Sequence, residues 1–246
     1  MIDNYKCIET MDNPDWTAME SIKIEDNLET LVPTSLSSRI RHYPVYNKMG
    51  VEGSISECFV RETVFEKLHQ AAKALPQGTH LVVLDGWRPY CVQQYLYEAL
   101  LKELKLSPEH RGKSLDSLQL LARNIVSPAK TNPLCPSPHL TGGAVDVTLC
   151  DDLGRLLNMG TLFDENHPLS WTAAIERCEH IEQQVIANRR MLYHAMTSAG
   201  FANLPSEWWH YGYGDQIWAF YNKQPVAIYG ATKPIDLVTL WKTPSQ

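Results

Sequence analysis

Four side chains in two short segments are of the types that bind a catalytic zinc ion and activate water. His139 and Asp146 stand seven positions apart in "PSPHLTGGAVDVTL", and the glycines between them permit a tight backbone path that could bring both to one point. Glu207 and His210 lie far downstream in "EWWHY". A catalytic zinc site needs about three N, O or S ligands and an open position for water. Zinc lowers the pKa of that water toward ~7, so that a nearby carboxylate can take its proton. In this pattern Glu207 would be the base, and the other three side chains would be the ligands.

Each of these residues alone also has a structural explanation. An isolated histidine is more often structural than metal-bound, Asp146 could simply belong to a strand, and Glu207 could be a solvent-exposed charge. Cys135 lies close to His139, but no second cysteine is near it, so we do not interpret it as a ligand. The seven other histidines are interpreted as structural or surface residues: His42, His69, His80, His110, His167, His180 and His194.

Predicted strands have to position these side chains. "HLVVLDGW" and "AVDVTLC" are typical of buried strands. "EWWHYGYG" and "IWAFY" are rich in aromatic residues and predict two further strands joined in a hairpin. Because successive residues of a strand point to opposite faces, Glu207 and His210 can both face a metal only if Glu207 lies in the loop before the strand.

The spacing of apolar residues predicts several helices around these strands. One follows Ser56, which can cap it, and ends at Gln77-Gly78; a second opens at Pro89. The segment 107–138 contains five prolines and predicts a long loop with one short helix near 114–124. The longest helix is expected over 174–200 and is closed by Gly200.

This order of elements predicts an α+β fold, with a mainly antiparallel sheet, helices packed on it and the zinc site at one edge. No repeat or linker divides the chain, so residues 1–246 are expected to form a single domain. Residues 1–56 predict an N-terminal arm packed on it, with short strand-like pieces at Lys6–Glu9 and Ser21–Ile24. The tail from Ile228 is expected to be peripheral.

Composition and charge exclude several classes of function. The net charge of −6, with no basic face to offset it, argues against a nucleic-acid partner. No apolar run approaches the ~18 to 20 residues of a membrane span. The N-terminus lacks the basic and apolar regions of a signal peptide, which predicts a cytoplasmic protein. The six cysteines form no C-x-x-C pair and are expected to be free thiols. Nothing in the sequence indicates an oligomeric state.

Four motifs together resemble the zinc D-alanyl-D-alanine dipeptidases of the vancomycin-resistance type, within the larger group of zinc D-Ala-D-Ala peptidases. "LDGWRPY" contains D-x-x-R-P, with Arg88 as its arginine. "SPHLTGGAVD" fits S-x-H-x-x-G-x-A-x-D, and "MGTLFD" fits M-G-x-x-F-D, which ends at Asp164. "EWWH" fits E-x-W-H. The motifs occur in the order of the family and span residues 85–210, about half the chain.

The resemblance implies hydrolysis of the dipeptide D-alanyl-D-alanine, with one zinc ion per chain and a small dipeptide as the partner. It implies that Glu207 acts as general base and then as general acid. The zinc ligands that it implies are His139, Asp146 and His210.

The resemblance also implies roles for residues around the metal. Arg88 would donate to the scissile carbonyl and steady the oxyanion, as a rigid and permanently charged guanidinium can. Its alternative is a structural ion pair with Asp85 across the turn. Asp164 would hold the free ammonium of the substrate, so that a longer peptide would leave a buried carboxylate unpaired; its alternative is a loop N-cap. Ser137 would contact the substrate or merely start the turn.

Two other functions remain open at this point. A zinc D,D-carboxypeptidase acting on peptidoglycan peptides would use the same metal site, but such enzymes usually work outside the cytoplasm. A zinc-containing binding module without turnover would most simply lack Glu207 or Arg88, and both are present. Hydrolysis of D-Ala-D-Ala could serve antibiotic resistance or the recycling of D-alanine from the cell wall.

Overall fold

The structure is a computed structural model that describes residues 5–123, 126–130 and 132–235. Its helices are α1 (Trp16–Glu20), α2 (Val45–Lys48), α3 (Glu62–Ala74), α4 (Tyr90–Leu106), α5 (Leu115–Arg123), α6 (Gln183–Ser198) and α7 (Gln216–Tyr221). Its strands are β1 (Lys23–Ile24), β2 (Leu31–Pro33), β3 (Arg41–His42), β4 (Phe59–Arg61), β5 (Thr79–Asp85), β6 (Ala144–Asp151), β7 (Ala202–Asn203), β8 (His210–Gly212) and β9 (Val226–Ala227).

The central sheet has five strands in the order β3-β5-β6-β8-β7. Only the β3–β5 pair is parallel; the other three pairs are antiparallel. Two small sheets flank it, a parallel pair of β1 with β9 and an antiparallel pair of β2 with β4. The prediction of an α+β fold with a mainly antiparallel sheet is therefore confirmed.

The main core lies between the central sheet and the helices α3 and α6. Val145 and Val147 of β6 belong to the same buried cluster as Leu68 of α3 and Leu192 of α6. Because side chains alternate along a strand, Asp146 faces the opposite side of the sheet. The alternation of β6 thus fills the core with one set of side chains and places Asp146 and Thr148 on the other face.

The N-terminal arm is attached to the C-terminal part of the chain at several points. β1 pairs with β9, and Met19 of α1 shares a buried apolar cluster with Leu204 and Ile217. Further upstream, the backbone N–H of Ile8 donates to a carboxylate oxygen of Glu176 at 3.0 Å. These contacts fix α1 beside α7.

The segment "IWAFY" is a helix, so the predicted second strand of an aromatic hairpin is wrong. The carboxylate of Asp215 caps α7 by accepting from the backbone N–H of Trp218 at 2.8 Å. Ile217, Phe220 and Tyr221 then cover the apolar cluster around α1. Their spacing of three and four residues is helical, and this spacing together with the cap decides the structure of the segment.

The predicted helix over 174–200 is too long, because residues 174–177 form a separate 3₁₀ turn and α6 begins only at Gln183. Glu176 in that turn accepts a hydrogen bond from Arg190 of α6 at 2.6 Å. Two residues fourteen positions apart in one helix would be separated by ~21 Å. The ion pair therefore requires the chain to fold back, and this contact is invisible in the local apolar pattern.

Other boundaries differ by smaller amounts. The helix expected from Ser56 begins at Glu62, because residues 59–61 pair with β2. Lys6–Glu9 is not a strand, whereas the piece Ser21–Ile24 contains β1. Tyr229 is fully buried in the main core, so the tail is not peripheral at that point. The helix predicted to open at Pro89 is confirmed as α4, and the short helix predicted near 114–124 is confirmed as α5; residue 124 lies outside the described residues.

Candidate metal centre and active site

The structure brings together the three residues predicted to bind zinc. His139 lies in a 3₁₀ turn just before β6, Asp146 lies on β6, and His210 is the first residue of β8. Asp146 pairs directly with His210 in the antiparallel register, so their side chains are neighbours. His210 Nδ1 is 3.1 Å from Asp146 Oδ1 and 3.2 Å from His139 Nε2. The candidate ligand atoms all lie within 4.8 Å of one another, and all three residues are buried.

The turn that carries His139 depends on a glycine. Gly142 ends it with a φ of 71°, in the left-handed region that favours glycine. A Cβ at this position would also clash with the side chain of Leu31. Arg61 fixes the same turn, because its Nε donates to the carbonyl oxygen of Thr141 at 2.8 Å. The position of His139 thus depends both on the glycine of its own turn and on an arginine that is distant in sequence.

The hydrogen bonds of the cluster orient its nitrogen atoms as metal ligands require. His139 Nδ1 lies 2.8 Å from the carbonyl oxygen of Gly86, which can only accept, so Nδ1 carries the proton and Nε2 presents its lone pair to Asp146 and His210. Burial by itself would raise the pKa of Asp146, but His139 and His210 and the charge of Arg88 hold that pKa well below its usual value. An ionised carboxylate beside two imidazoles with converging nitrogen atoms fits a zinc ion.

Arg88 is buried and forms a network that connects the turn after β5 to the metal ligands. Its Nε donates to Asp85 at 2.6 Å, its Nη1 to Gln93 at 2.8 Å and its Nη2 to Asp146 at 2.8 Å. The guanidinium also lies over the ring of Tyr46, 4.8 Å from its centroid. The ion pair with Asp85 that the sequence left as an alternative is present, and it coexists with the contact to Asp146.

Glu207 lies in the turn before β8. This position lets its side chain and that of His210 face the same point. Its Oε2 is 3.9 Å from His210 Nδ1, and the residue is buried. Burial raises the pKa of this carboxyl well above its usual value, and the charges of Asp146 and Asp164 raise it further. A raised pKa is the direction that suits a carboxyl acting first as base and then as acid.

A cavity contains the metal ligands, Arg88 and Glu207, and Asp164 lines it too. Asp164 has one described hydrogen-bond donor. Its Oδ2 accepts from the hydroxyl of Tyr46 at 3.2 Å, and burial raises the pKa of the carboxyl. The backbone of Asp164 has a φ of 61°, a conformation that is unfavourable for a side chain larger than glycine. The side chain points to Tyr46 and makes no described N-cap bond, so the loop-cap alternative finds no support here.

The hydroxyl of Ser137 is occupied within the loop. It donates to the carbonyl oxygen of Pro128 at 3.0 Å and accepts from the backbone N–H of Lys130 at 2.9 Å. Ser137 therefore holds the segment that precedes the turn of His139. Its contact with a substrate stays a prediction.

Gln93 escaped the sequence analysis, and Tyr46 could be suggested from sequence as a pocket residue but not placed. Gln93 Oε1 accepts a hydrogen bond from Arg88 Nη1, and Gln93 Nε2 donates to the carbonyl oxygen of Ser127 at 2.7 Å. Its position in the first turn of α4, five residues after Arg88, was the available indication. Tyr46 joins Arg88 and Asp164, but nothing in its sequence surroundings indicates this. Among the described residues, the three-residue cluster of His139, Asp146 and His210 is the one group with the geometry of a metal site, and Cys135 lies outside it.

Comparison with known proteins now identifies the family. Residues 47–228 match the family described as D-ala-D-ala dipeptidase. The chain belongs to this family of metallopeptidases. It is 32% identical over 234 residues to a D-alanyl-D-alanine dipeptidase of Synechocystis sp., an alignment that covers 85% of this chain and 94% of the relative. It is also 32% identical over 145 residues to a D-alanyl-D-alanine dipeptidase of Enterococcus faecium, covering 58% of this chain and 66% of that one.

Among solved structures, the chain is similar to a vancomycin-resistance D,D-pentapeptidase in complex with Zn(II). The TM-score is 0.39 and the sequence identity 18%, over 70% of this chain and 82% of that chain. Within the described part of the chain, no helix combines the length and the apolar character that crossing a membrane would require. The predicted cytoplasmic location stays a prediction.

Proposed function

We propose that this metallopeptidase is a zinc-dependent dipeptidase that hydrolyses D-alanyl-D-alanine to two molecules of D-alanine. The observation that carries the proposal is the cluster of two histidines and one aspartate, with Glu207, Arg88 and Asp164 lining the same cavity. Membership of the D-ala-D-ala dipeptidase family supports this substrate.

One zinc ion would be held by His139 Nε2, His210 Nδ1 and the carboxylate of Asp146. These atoms converge, and the other nitrogen of His139 is already engaged by the carbonyl of Gly86. When bound, zinc supplies a Lewis acid that polarises the scissile carbonyl and makes water acidic enough to lose a proton near neutral pH.

Glu207 moves the proton in the proposed reaction. Its carboxylate takes a proton from the attacking water and then delivers it to the nitrogen of the leaving D-alanine. Burial raises the pKa of Glu207 and so brings the carboxyl closer to the working pH, which suits a group that acts first as base and then as acid.

Arg88 binds the developing oxyanion of the reacting dipeptide, and Asp164 binds its ammonium. Arg88 donates to the oxygen that becomes negative during attack, and its bonds to Asp85 and Gln93 hold the guanidinium in place beforehand. One preorganised donor of this kind typically contributes ~3 to 4 kcal/mol to lowering the barrier. Asp164 pairs with the free ammonium of the substrate, and an acylated nitrogen would leave this buried carboxylate unpaired.

The burial of Asp164 favours a dipeptidase over a carboxypeptidase that acts on longer peptidoglycan peptides. A longer peptide carries an amide where the dipeptide has its ammonium, and that amide gives no charge to the carboxylate. A binding module without turnover is disfavoured because Glu207 and Arg88 are both present and buried beside the metal ligands.

The test is release of D-alanine from D-Ala-D-Ala by the purified protein, together with its zinc content and a Glu207→Ala control. We expect about one zinc per chain, release that a chelator abolishes and zinc restores, and no release by the control variant. A longer peptide ending in D-Ala-D-Ala should stay intact. Cleavage of the longer peptide alone would establish the carboxypeptidase, and bound zinc without cleavage of either substrate would establish the binding module.

A further inference from the structure

A second group of charged side chains lines the same cavity, away from the metal ligands. Glu20, the last residue of α1, accepts hydrogen bonds from Arg123 at the end of α5 and from Lys130 in the following segment. The Lys130 Nζ to Glu20 Oε1 distance is 2.6 Å. Two cations thus share one carboxylate, which leaves this part of the cavity wall with a net positive charge.

This group is built into the fold. The backbone N–H of Lys130 donates to Ser137 Oγ, and Ser137 lies two residues before His139. The end of α1 is fixed by Gln216, whose Nε2 donates to the carbonyl oxygens of Ile22 at 2.7 Å and Leu134 at 3.2 Å. The charged side chains are about three-quarters buried: Glu20 is 27% exposed, Lys130 26% and Arg123 31%. Their positions are therefore coupled to the metal site and to the N-terminal arm.

The distribution of charge in the cavity matches a zwitterion. The part around the metal contains the carboxylates of Asp164 and Glu207, whereas the part formed by α1, α5 and the segment of Lys130 is positive. A free dipeptide carries its ammonium and its carboxylate on either side of the scissile bond. With the ammonium at Asp164, cations in another part of the cavity would stabilise the carboxylate.

Three arginine and lysine residues are found among the described residues that line the cavity: Arg88, Arg123 and Lys130. The guanidinium of Arg88 already donates to Asp85, Gln93 and Asp146. The other two cations, Arg123 and Lys130, share the single carboxylate of Glu20. A second carboxylate would neutralise the group and accept charge-assisted hydrogen bonds.

We propose that Arg123 and Lys130 form the binding site for the free carboxylate of the substrate, and that Glu20 holds these two cations in position. The proposal rests on the proposed dipeptidase function and deepens it. It names the residues that recognise the C-terminal carboxylate of the dipeptide, and it gives the N-terminal arm a part in substrate selection.

The experiment compares D-Ala-D-Ala with its C-terminal amide, which has the same shape and no negative charge. For the zinc-loaded wild-type protein we expect kcat/KM for the free acid to exceed that for the amide by at least about tenfold. Lys130→Gln should lower kcat/KM for the free acid by roughly 10- to 100-fold and change the value for the amide by less than about twofold. Lys130→Arg should restore most of the preference. The matched control is Lys102→Gln, at an exposed lysine of α4 that does not line the cavity.

Binding to the metal-free protein gives a reading that does not depend on turnover. Calorimetry should show that wild type binds the free acid more tightly than the amide and that Lys130→Gln loses this difference, at an unchanged melting temperature. Equal losses on both ligands, or no preference in the wild type, would overturn the proposal. A wild-type protein that binds zinc and prefers the free acid in calorimetry, but hydrolyses neither substrate, would support the carboxylate site while refuting the proposed dipeptidase function.

Discussion

Replacing Tyr46 by phenylalanine removes a single oxygen atom that connects two parts of the proposed substrate site. The hydroxyl donates to Asp164 Oδ2 at 3.2 Å and accepts from Arg88 Nη2 at 3.4 Å. Arg88 keeps its shorter bonds to Asp85, Gln93 and Asp146, whereas Asp164 loses its one described donor. We therefore expect Tyr46→Phe to weaken substrate binding more than it slows the chemical step.

The size of the effect follows from the distances. A hydrogen bond to a charged group contributes about 1.5 to 3 kcal/mol, and 3.2 Å is long for an O–H···O bond. The lower value of about 1.5 kcal/mol corresponds to roughly a tenfold change in an equilibrium constant. Without the hydroxyl, the pKa of Asp164, which burial already raises, should rise further and leave less ionised carboxylate to bind the ammonium.

The assay is steady-state hydrolysis of D-Ala-D-Ala at neutral pH by the zinc-loaded variant. We expect KM to rise about tenfold and kcat to change by less than about threefold. The matched control is Tyr43→Phe, at an exposed tyrosine three residues away, which should leave both constants unchanged. A tenfold fall in kcat at constant KM would refute the reasoning, because it would place the effect of Tyr46 at Arg88 and not at Asp164.

Three further changes have expected outcomes. Glu207→Gln should lower kcat by roughly 10²- to 10⁴-fold while retaining zinc, and urea unfolding should show no loss of stability, since the buried amide carries no charge. The KM for the dipeptide should rise as pH falls through the raised pKa of Asp164. Because the folded pKa exceeds the unfolded one, the contribution of Asp164 to the free energy of unfolding should decrease as pH rises through the folded pKa. The variant Asp164→Asn should abolish both of these pH dependences. In urea titrations, Arg61→Met should lower the free energy of unfolding by at least about 3 kcal/mol, because the buried guanidinium fixes Thr141. Arg155→Met, at an exposed ion pair, should lower the free energy of unfolding by less than about 1 kcal/mol.

The strands that carry the site were predictable because their local pattern agrees with their environment. β5 and β6 are short, apolar runs bounded by turn residues, and both are buried as expected. The helices α4 and α5 also follow their apolar spacing. One error lies where a distant contact overrides the local pattern, because Glu176 pairs with Arg190 and the long predicted helix is interrupted. The error at α7 concerns a local signal, since Asp215 caps the helix by accepting from the N–H of Trp218, three residues further on.

The sequence by itself determined which residues have the chemistry of a zinc peptidase. Two histidines, three carboxylates and an arginine occur in motifs whose order and spacing resemble one family, and such motifs are local features of the chain. The requirement that Glu207 precede the strand of His210 also followed from local geometry alone, and the structure places it there.

Only the tertiary structure decided how these residues are surrounded. The register of β6 with β8 sets Asp146 beside His210, and the approach of three separate segments places Tyr46 between Arg88 and Asp164. The arm residue Glu20 meets Lys130 across 110 positions of sequence. Burial, and with it the raised pKa values of Glu207 and Asp164, arises from such long-range packing. The sequence specifies the types of the side chains. The distances between them and their desolvation, which determine their reactivity, arise only when the chain folds.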